Sequence, residues 1–339
     1  MAFKRLDNED FIVSADSVSQ TVWTGNIPSL TTFFTSSTQE TDKSGDYYLS
    51  VFNGVIGGVN SEVQFDLVFG DKQGRGTSAY NAAVDDTKTP SKTIYGQYRT
   101  LVLEDENSDF VFGENAHDSF YALSISRARY KEKLLPGSLN LILSGSGNGS
   151  PLLRLTDNSK DVNLPIYYGT QRAYQIVSGS DGHAYSGTGY TTNSGSYGLF
   201  LPDISTILLN SKALDLNDFE GINLGTNFAT NTPGNNKQKL FRAIKGGAKF
   251  QLNSEETLTS DFIFIRARNS EFNYSENPSY ISGSTGEIIY SYLINNPQSY
   301  ITTVGMYNDS NELLAVAKLS KPLRKDFTKE SLIRVKLDF

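Results

Sequence analysis

The feature that most constrains this sequence is the alternation of apolar and charged residues at its C-terminal end. Every second residue there is apolar: Ile333, Val335, Leu337 and Phe339. The residues between them are charged: Arg334, Lys336 and Asp338. A period of two places side chains on opposite faces of a strand, so this segment is predicted to be a half-buried β-strand. A chain end with this pattern is expected to be tied into a packed sheet or into a joint with another subunit.

The segment before this strand predicts a β-hairpin. Residues 301–307 and 312–319 are rich in branched and apolar residues, and the turn-forming tetrapeptide Asn308-Asp309-Ser310-Asn311 separates them. Both faces of the hairpin are apolar, so one face is expected to pack within the chain and the other against a partner. The candidate partner interface consists of Ile301, Val304, Met306, Leu313, Leu314, Val316 and Leu319.

Composition places the whole chain in the mainly β class. Of its 339 residues 38% are hydrophobic, 12% are aromatic and only 20% are charged, and 29 are glycines. This balance excludes wholesale disorder and predicts many turns with few long solvated helices. We expect antiparallel sheets or a β-sandwich, with two short helices at about 90–103 and 126–134. Thr89-Pro90 supplies the cap and first turn of the first helix.

Composition shifts divide the chain into four predicted segments. These are an N-terminal arm (1–30), a β-rich domain with short helices (31–160), a loop-rich β domain or insertion (161–270), and a C-terminal hairpin with its closing strand (271–339). An ordinary edge strand is the alternative for the arm, which contains the only tryptophan. Trp23 is expected to fill a hydrophobic pocket. A strand is predicted at Arg242 to Leu252.

Charge, cysteine content and hydropathy exclude several classes of protein. The net charge is −7 with a pI near 5.0, which argues against nucleic-acid binding because neutralising phosphates needs clustered Lys and Arg. The absence of cysteine rules out disulfides and thiolate chemistry and fits synthesis in a reducing cytoplasm. No apolar run reaches about 18 residues, so membrane insertion is not expected. The N-terminal segment carries charge where a usual signal peptide needs an apolar run, so such a signal is not expected either.

Several motifs resemble phosphate-binding, calcium-binding or catalytic sequences, but the residues around them do not fit those sites. No enzymatic activity, metal site or cofactor is therefore predicted. The glycine-rich residues 145–149 precede a strand rather than the helix that a phosphate loop requires. The segment 105–109 begins like a calcium loop, but Phe110 and Ala116 occupy two defining positions. A hydrolytic triad would combine a histidine with an activated serine, but no G-x-S-x-G nucleophile elbow accompanies His117 or His183. Two alternatives stay open, a distant carboxylate pair and a metal held by one histidine from each of three symmetric copies.

A long loop at 178–198 is rich in Gly, Ser, Thr and Tyr and is predicted to be exposed. Loops of this length inside a compact domain often carry a function, so His183, Tyr185 and Tyr190 are candidates for surface recognition. Tyrosine stacks on sugar rings, which makes glycan contact possible there. Ordinary packing of aromatic residues at sheet faces and subunit contacts is the alternative.

Three phrases of the sequence resemble a known class of proteins. The phrases are TTVGMYNDSNELLAVAKLSKP (302–322), ARNSEFNYSENPSY (267–280) and SYGLFLPDISTILLN (196–210). The first resembles a hairpin of phage tail-collar and fibre-attachment proteins. Together, the three are similar to virion structural proteins of contractile-tailed marine cyanophages.

The resemblance implies an oligomeric tail or baseplate component without catalytic residues. Such a protein is made in the host cytoplasm and assembles with other virion proteins, fibre subunits among them. The alternatives are a carbohydrate-binding or depolymerising fibre module and a head or neck decoration protein.

Overall fold

The computed structural model describes residues 3–36, 47–80, 88–145, 152–185, 192–217 and 220–338. The strands in chain order are β1 (Phe11–Thr21), β2 (Phe34–Ser36), β3 (Tyr48–Phe52), β4 (Val63–Asp71), β5 (Phe110–Phe112), β6 (Asn115–His117), β7 (Ser119–Ile125), β8 (Lys133–Leu134), β9 (Asn140–Ser144), β10 (Leu152–Asp157), β11 (Ile166–Tyr168), β12 (Gln171–Ser180), β13 (His183–Ala184), β14 (Gly198–Leu201), β15 (Thr206–Asn210), β16 (Lys249–Gln251), β17 (Asn253–Ala267), β18 (Gln298–Tyr307), β19 (Leu313–Asp326) and β20 (Ser331–Asp338). The α-helices are α1 (Pro90–Leu103), α2 (Ser211–Asp215), α3 (Asn236–Gly247) and α4 (Tyr292–Asn295). The predicted mainly β class with antiparallel sheets is confirmed.

The chain forms two compact units. The larger unit is Val18–Glu256, and the smaller unit combines Met1–Ser17 with Thr257–Phe339. These units are defined by contacts, and the four segments predicted from composition stay a prediction.

The larger unit is built on one large sheet. Its strands lie in the order β16-β9-β10-β12-β14-β15-β7-β4-β3-β2, with β11 and β13 also paired to β12. Every residue of β14 and of β15 is buried. Strands covered on both faces read as continuous apolar runs, and the GLFL and TILLN sequences show this pattern.

Two hydrophobic clusters cover the two faces of this sheet. Along β7, Tyr121 and Leu123 belong to one cluster while Phe120 and Ala122 belong to the other. Because neighbouring side chains of a strand point to opposite faces, the two clusters lie on opposite sides. Trp23 packs in the first cluster, with its ring centroid 4.8 Å from that of Phe250, as predicted for the lone tryptophan.

Helix α1 is confirmed at its predicted bounds. The Thr89 side chain accepts a hydrogen bond from the Lys92 N–H at 3.4 Å, and Pro90 occupies the first turn. Ile94, Tyr95 and Val102 are buried in the second cluster. These residues explain how the helix covers one face of the sheet.

The second predicted helix, at 126–134, is wrong. The segment contains a single 3-10 turn, Arg127–Arg129, followed by β8. Leu134 is fully buried and pairs with Ser254 of β17, while the Arg129 guanidinium lies 2.7 Å from a Glu62 carboxylate oxygen. Strand pairing and this ion pair outweigh the weak helical preference of a segment without an apolar helical face.

The strand predicted at Arg242 to Leu252 is also wrong over most of its length. Helix α3 continues to Gly247, with Leu240, Ala243 and Ile244 buried at helical spacing. A Cβ on Gly247 would lie 1.8 Å from the Ile142 carbonyl oxygen of β9. The helix therefore ends against the sheet in a space that only glycine fits.

In the smaller unit, β1, β17 and β20 form a sheet in that order. The pairing of Ile263 with Val335 and of Ile265 with Ile333 places the apolar residues of the closing strand on one face. The alternation predicted for β20 is confirmed through Asp338, and Phe339 lies outside the described residues. Strand β1 shows that much of the predicted arm is an edge strand, and its draping over a neighbour stays a prediction.

Strands β18 and β19 form the predicted hairpin. Met306 pairs with Ala315 and Val304 with Ala317. The register then shifts, because four residues, 319–322, lie between the partners of Thr303 and Ile301. Both strands are longer than the sequence predicts, and β19 continues past this irregularity to Asp326.

Candidate interaction surface

The turn of the hairpin is held by its own side chains. The Asn308 N–H donates to the Glu312 carbonyl at 3.1 Å, and the Glu312 N–H donates to Asn308 Oδ1 at 2.8 Å. Asn308 Nδ2 also donates to the Glu312 carboxylate at 2.7 Å. Asn311 adopts a left-handed conformation (φ 61°), which asparagine tolerates better than most residues. The predicted turn is therefore confirmed and well defined.

The other end of the hairpin is anchored by a buried lysine. The Lys325 ammonium donates to the Asn269 carbonyl at 3.0 Å, to Asn273 Oδ1 at 2.9 Å and to the Asp326 carbonyl at 2.9 Å. These three acceptors match the three donors of an ammonium group. The nearby Ser299 hydroxyl donates to the Phe272 carbonyl. This root of the hairpin is therefore fixed to the segment 269–273.

Between root and turn, the two faces of the hairpin differ in exposure. One face carries Val304 and Met306 opposite Ala317 and Ala315, and these side chains are half-buried. The other face carries Tyr307, Leu313 and Val316, which are 37%, 53% and 58% exposed. A Cβ on Gly305 would lie 3.0 Å from the Tyr307 ring, which shows that the ring covers this glycine. The Phe3 ring lies against Tyr307, with centroids 5.4 Å apart, and the rest of this second face is an apolar surface open to solvent.

The seven predicted interface residues fall into two groups on this hairpin. Ile301, Val304, Met306 and Leu319 are half-buried. Leu313, Leu314 and Val316 are exposed, Leu314 at 68%. Leu314 has no partner in β18, since a bulge lies between the pairs of Met306 and Tyr307. The sequence did not single out the exposed Tyr300 and Tyr307.

Apolar residues are distributed very unequally between the units. Among the described residues, only five buried hydrophobic residues belong to the smaller unit: Ile263, Ala267, Tyr280, Leu293 and Val335. Sixteen of the thirty exposed large hydrophobic residues belong to it: Phe3, Phe11, Ile12, Val13, Tyr274, Ile289, Tyr290, Tyr292, Ile294, Tyr300, Tyr307, Leu313, Leu314, Val316, Phe327 and Leu332. Surplus apolar surface on this scale is typical of an interaction site.

The predicted recognition loop is only partly open. The ring nitrogen Nδ1 of His183 lies 2.7 Å from Asp161 Oδ1, and the Ala184 N–H donates to Asp161 Oδ2 at 2.6 Å. These two hydrogen bonds lower the pKa of Asp161. β13, which contains His183, pairs with the end of β12. Tyr185 is 62% exposed, and Tyr190 lies outside the described residues.

The other histidine lies in the interior of the larger unit. His117 Nε2 lies 2.9 Å from the Ser194 carbonyl oxygen, and burial lowers the pKa of the ring. Asn210 donates to the carbonyls of Ser194 and Ser196 at 3.0 Å, which completes this polar cluster. His117 thus links a loop to the sheet.

The remaining sequence motifs have structural explanations where they are described. The Asp105 carboxylate accepts the N–H groups of Asn107 and Ser108 at 3.0 and 3.1 Å, as in an ordinary Asx turn. Most of the glycine-rich turn at 145–149 lies outside the described residues. Within the described ranges, no group of three or more His, Asp or Glu side chains could hold a metal ion.

Comparison with protein-family models, with curated proteins and with solved structures finds no match for this chain. Among the helices of the described residues, none has the length and apolar character needed to cross a membrane.

Proposed function

We propose that this chain is a structural component of a phage virion, a tail or baseplate protein that joins other virion subunits through its smaller unit. The observation that supports the proposal is the C-terminal hairpin, which is defined at its root and turn but leaves one apolar face open. The same residues carry the resemblance to tail-attachment hairpins. Fibre subunits are among the partners that this role implies.

The physical argument concerns where assembly energy comes from. Burying apolar surface stabilises an interface by roughly 25 cal/mol per Å². Leu313, Leu314 and Val316 offer such surface on a strand that its own chain leaves exposed. A two-stranded hairpin is only marginally stable alone, so a partner that covers this face also stabilises the hairpin. Assembly and local folding are thereby coupled.

The test is incorporation into particles. A phage lacking the gene is complemented with Leu314→Lys/Val316→Lys, and purified virions are split into heads and contracted tails for quantitative mass spectrometry. The charged pair is expected to lower incorporation at least about tenfold, because lysines cannot be buried unpaired in an interface. The matched control is Leu164→Lys, another highly exposed leucine, which lies in the larger unit and is expected to incorporate normally.

The copy number of the wild-type protein in the head and tail fractions shows where in the particle it lies. About six to a few dozen copies that fractionate with tails fit a baseplate or fibre joint with closed symmetry. Hundreds of copies with the heads would favour a decoration protein, and absence from particles would contradict the proposal. Normal incorporation of the charged variant would contradict the role of the hairpin.

A glycan-binding role is the second candidate, and it is favoured by exposed tyrosines. The rings of Tyr290 and Tyr292 lie side by side with centroids 5.8 Å apart, and both are at least half exposed. Tyr185 offers a separate exposed ring in the larger unit. Flat exposed rings of this kind can stack on sugars.

A glycan array distinguishes the two surfaces. Binding that is lost in Tyr290→Ala/Tyr292→Ala would place the ligand on the smaller unit, and binding that is lost in Tyr185→Ala would place it at the predicted recognition loop. An array that stays silent for the intact, assembled protein would contradict the glycan role.

A further inference from the structure

We infer that a pocket of the larger unit binds the carboxylate of a small acidic ligand about the size of one sugar ring. The pocket has a volume of about 190 Å³ and is lined by residues of two 3-10 turns, Thr24–Asn26 and Arg127–Arg129. The inference does not depend on the proposed virion role. It also concerns residues other than the exposed tyrosines of the glycan candidate.

Hydrogen bonds and packing hold the walls of the pocket in place. The Arg129 guanidinium donates through Nη1 to the Thr24 hydroxyl, which joins the two turns. The Thr24 N–H donates to Gln64 Oε1 at 3.1 Å, and the Gln64 amide donates back to the Thr24 hydroxyl at 2.8 Å. Trp23, another residue of the lining, is 2% exposed and belongs to the core. Walls fixed in this way need little reordering when a ligand arrives, which lowers the entropic cost of binding.

The lining of the pocket is positively charged. Among the twelve described residues that line it, Arg129 and Lys131 are basic and none is Asp or Glu. Lys131 is exposed and forms no ion pair within the described part of the chain. Arg129 pairs at 2.7 Å with Glu62, which is not part of the lining.

The sum of these charges favours a carboxylate over a phosphate. Two positive charges, from Arg129 and Lys131, and one negative charge, from Glu62, leave +1. A single carboxylate balances that charge. A phosphate monoester carries about −1.5 to −2 near pH 7 and would leave an excess of negative charge.

The Arg129 head group has donors left for a ligand. Its contacts with Thr24 and Glu62 are both made through Nη1. Within the described residues Nη2 and Nε have no acceptor, and Nε is buried. The Nε–Nη2 edge of a guanidinium is a two-pronged donor that matches the two oxygens of a carboxylate. A carboxylate at this edge would give the buried Nε–H the acceptor that it lacks, and a buried donor without an acceptor is costly.

The volume of the pocket limits the size of the ligand. A water molecule occupies about 30 Å³ in the liquid, so the pocket corresponds to about six water molecules. That space suits a single sugar ring or a small organic acid rather than an oligosaccharide. Tyr130 also lines the pocket and offers an apolar ring for contact with the body of the ligand. D-glucuronate combines one ring with one carboxylate and is therefore the probe.

The first experiment titrates the full chain with D-glucuronate and with D-glucose, which has the same ring without the carboxylate. Because Trp23 is the only tryptophan and lines the pocket, its fluorescence reports on this site. Glucuronate is expected to bind with a dissociation constant below about 1 mM and at least about tenfold more tightly than glucose. Saturation-transfer NMR detects any binding that leaves the fluorescence unchanged.

Three outcomes of this titration would overturn the inference. One is the absence of glucuronate binding up to about 10 mM, and another is glucose binding as tightly as glucuronate. The third is tighter binding of inorganic phosphate than of glucuronate, which would assign the pocket to phosphate instead.

The second experiment changes the charged residues of the lining. Arg129→Lys is expected to raise the dissociation constant for glucuronate at least about tenfold, because lysine keeps the charge but lacks the two-pronged edge. Lys131→Met is expected to raise it at least about threefold through the loss of one positive charge. Lys245→Met, at an exposed position of α3 in the same unit, is the matched control and is expected to bind like the wild type.

Thermal unfolding verifies that each variant is folded. Lys131 is exposed, so its replacement keeps the test available if Arg129→Lys does not fold. Binding by Lys131→Met that matches the wild type would contradict the site, and so would equal losses in Lys131→Met and Lys245→Met.

Discussion

The two compact units of this chain differ in where their apolar residues lie. The larger unit covers both faces of its sheet, and both hydrophobic clusters consist of its residues. The smaller unit buries five hydrophobic residues and exposes sixteen large ones, counted over the described residues. A core of that size supports a small unit only marginally. The larger unit is therefore stabilised by its own hydrophobic core. The stability of the smaller unit depends on polar anchors and on apolar surfaces that a partner can cover.

The largest expected effect tests the packing of the larger unit. Phe120 is fully buried, and its ring lies 4.8 Å from that of Phe110 and 5.6 Å from that of Tyr95. Phe120→Ala is expected to lower the free energy of unfolding by about 3–5 kcal/mol, because it opens a cavity among aromatic rings. Denaturant titration measures this change. Leu314→Ala in the smaller unit is the contrast, with an expected change within about 0.5 kcal/mol, and equal costs would remove the distinction between the units.

A smaller effect is expected from the anchor of the hairpin. Lys325→Met removes a buried ammonium and leaves the Asn269 carbonyl, Asn273 Oδ1 and the Asp326 carbonyl without this donor. Losing hydrogen bonds of this kind costs about 1–3 kcal/mol of local stability. Hydrogen exchange is expected to speed up across 298–326 and to stay unchanged in the core strands of the larger unit. Lys321→Met, at an exposed position of the same strand, is the control, and matching exchange in both variants would argue against the anchor.

The smallest effect concerns pH and the larger unit. Burial lowers the pKa of His117 below its ordinary value of 6.5, so the unfolded chain takes up a proton before the folded chain does. The stability that comes from keeping His117 neutral is fully present above about pH 6.5. It is lost as the pH falls from that value through the lower pKa of the folded state. We expect the free energy of unfolding to fall between pH 7.5 and 5.5, measured by denaturant titration. In His117→Gln the pH dependence is expected to shrink, and an unchanged slope would contradict the assignment.

Elements with strong periodicity were predictable from the sequence. The alternation in β20, the turn between β18 and β19, and the capped helix α1 are all present at or near their predicted positions. In each case a short stretch of chain carries both the pattern and the signal that ends it. Local sequence was therefore sufficient to predict these elements.

Elements that depend on distant partners were missed. Helix α3 has a narrow apolar face and ends in two glycines. Glycines are typical of loops, and only the close approach of β9 to Gly247 explains why they end a helix here. The sequence left β1 open between a draping arm and an edge strand, because little of it is buried on either face and its partner β17 lies far along the chain.

The candidate surface was predicted in part. Apolar composition pointed to seven hairpin residues, but it could not separate the half-buried Val304 and Met306 from the exposed Leu314 and Val316. That separation depends on the bulge in β19 and on which face the rest of the chain leaves open. The sequence does not mark Tyr300 and Tyr307 as exposed, because tyrosine fits a buried strand as well as an exposed one.

The division of the smaller unit between both ends of this sequence also bears on the order of events during synthesis. Strand β1 is made early, but its neighbour β17 follows only after the larger unit has been translated. At about 5–20 residues per second this interval lasts roughly 12–50 s, during which Phe11, Ile12 and Val13 have no strand to pair with. The larger unit can complete its packing in that time. The hairpin is translated after both, so the surface proposed for assembly forms on a chain whose larger unit has already been made.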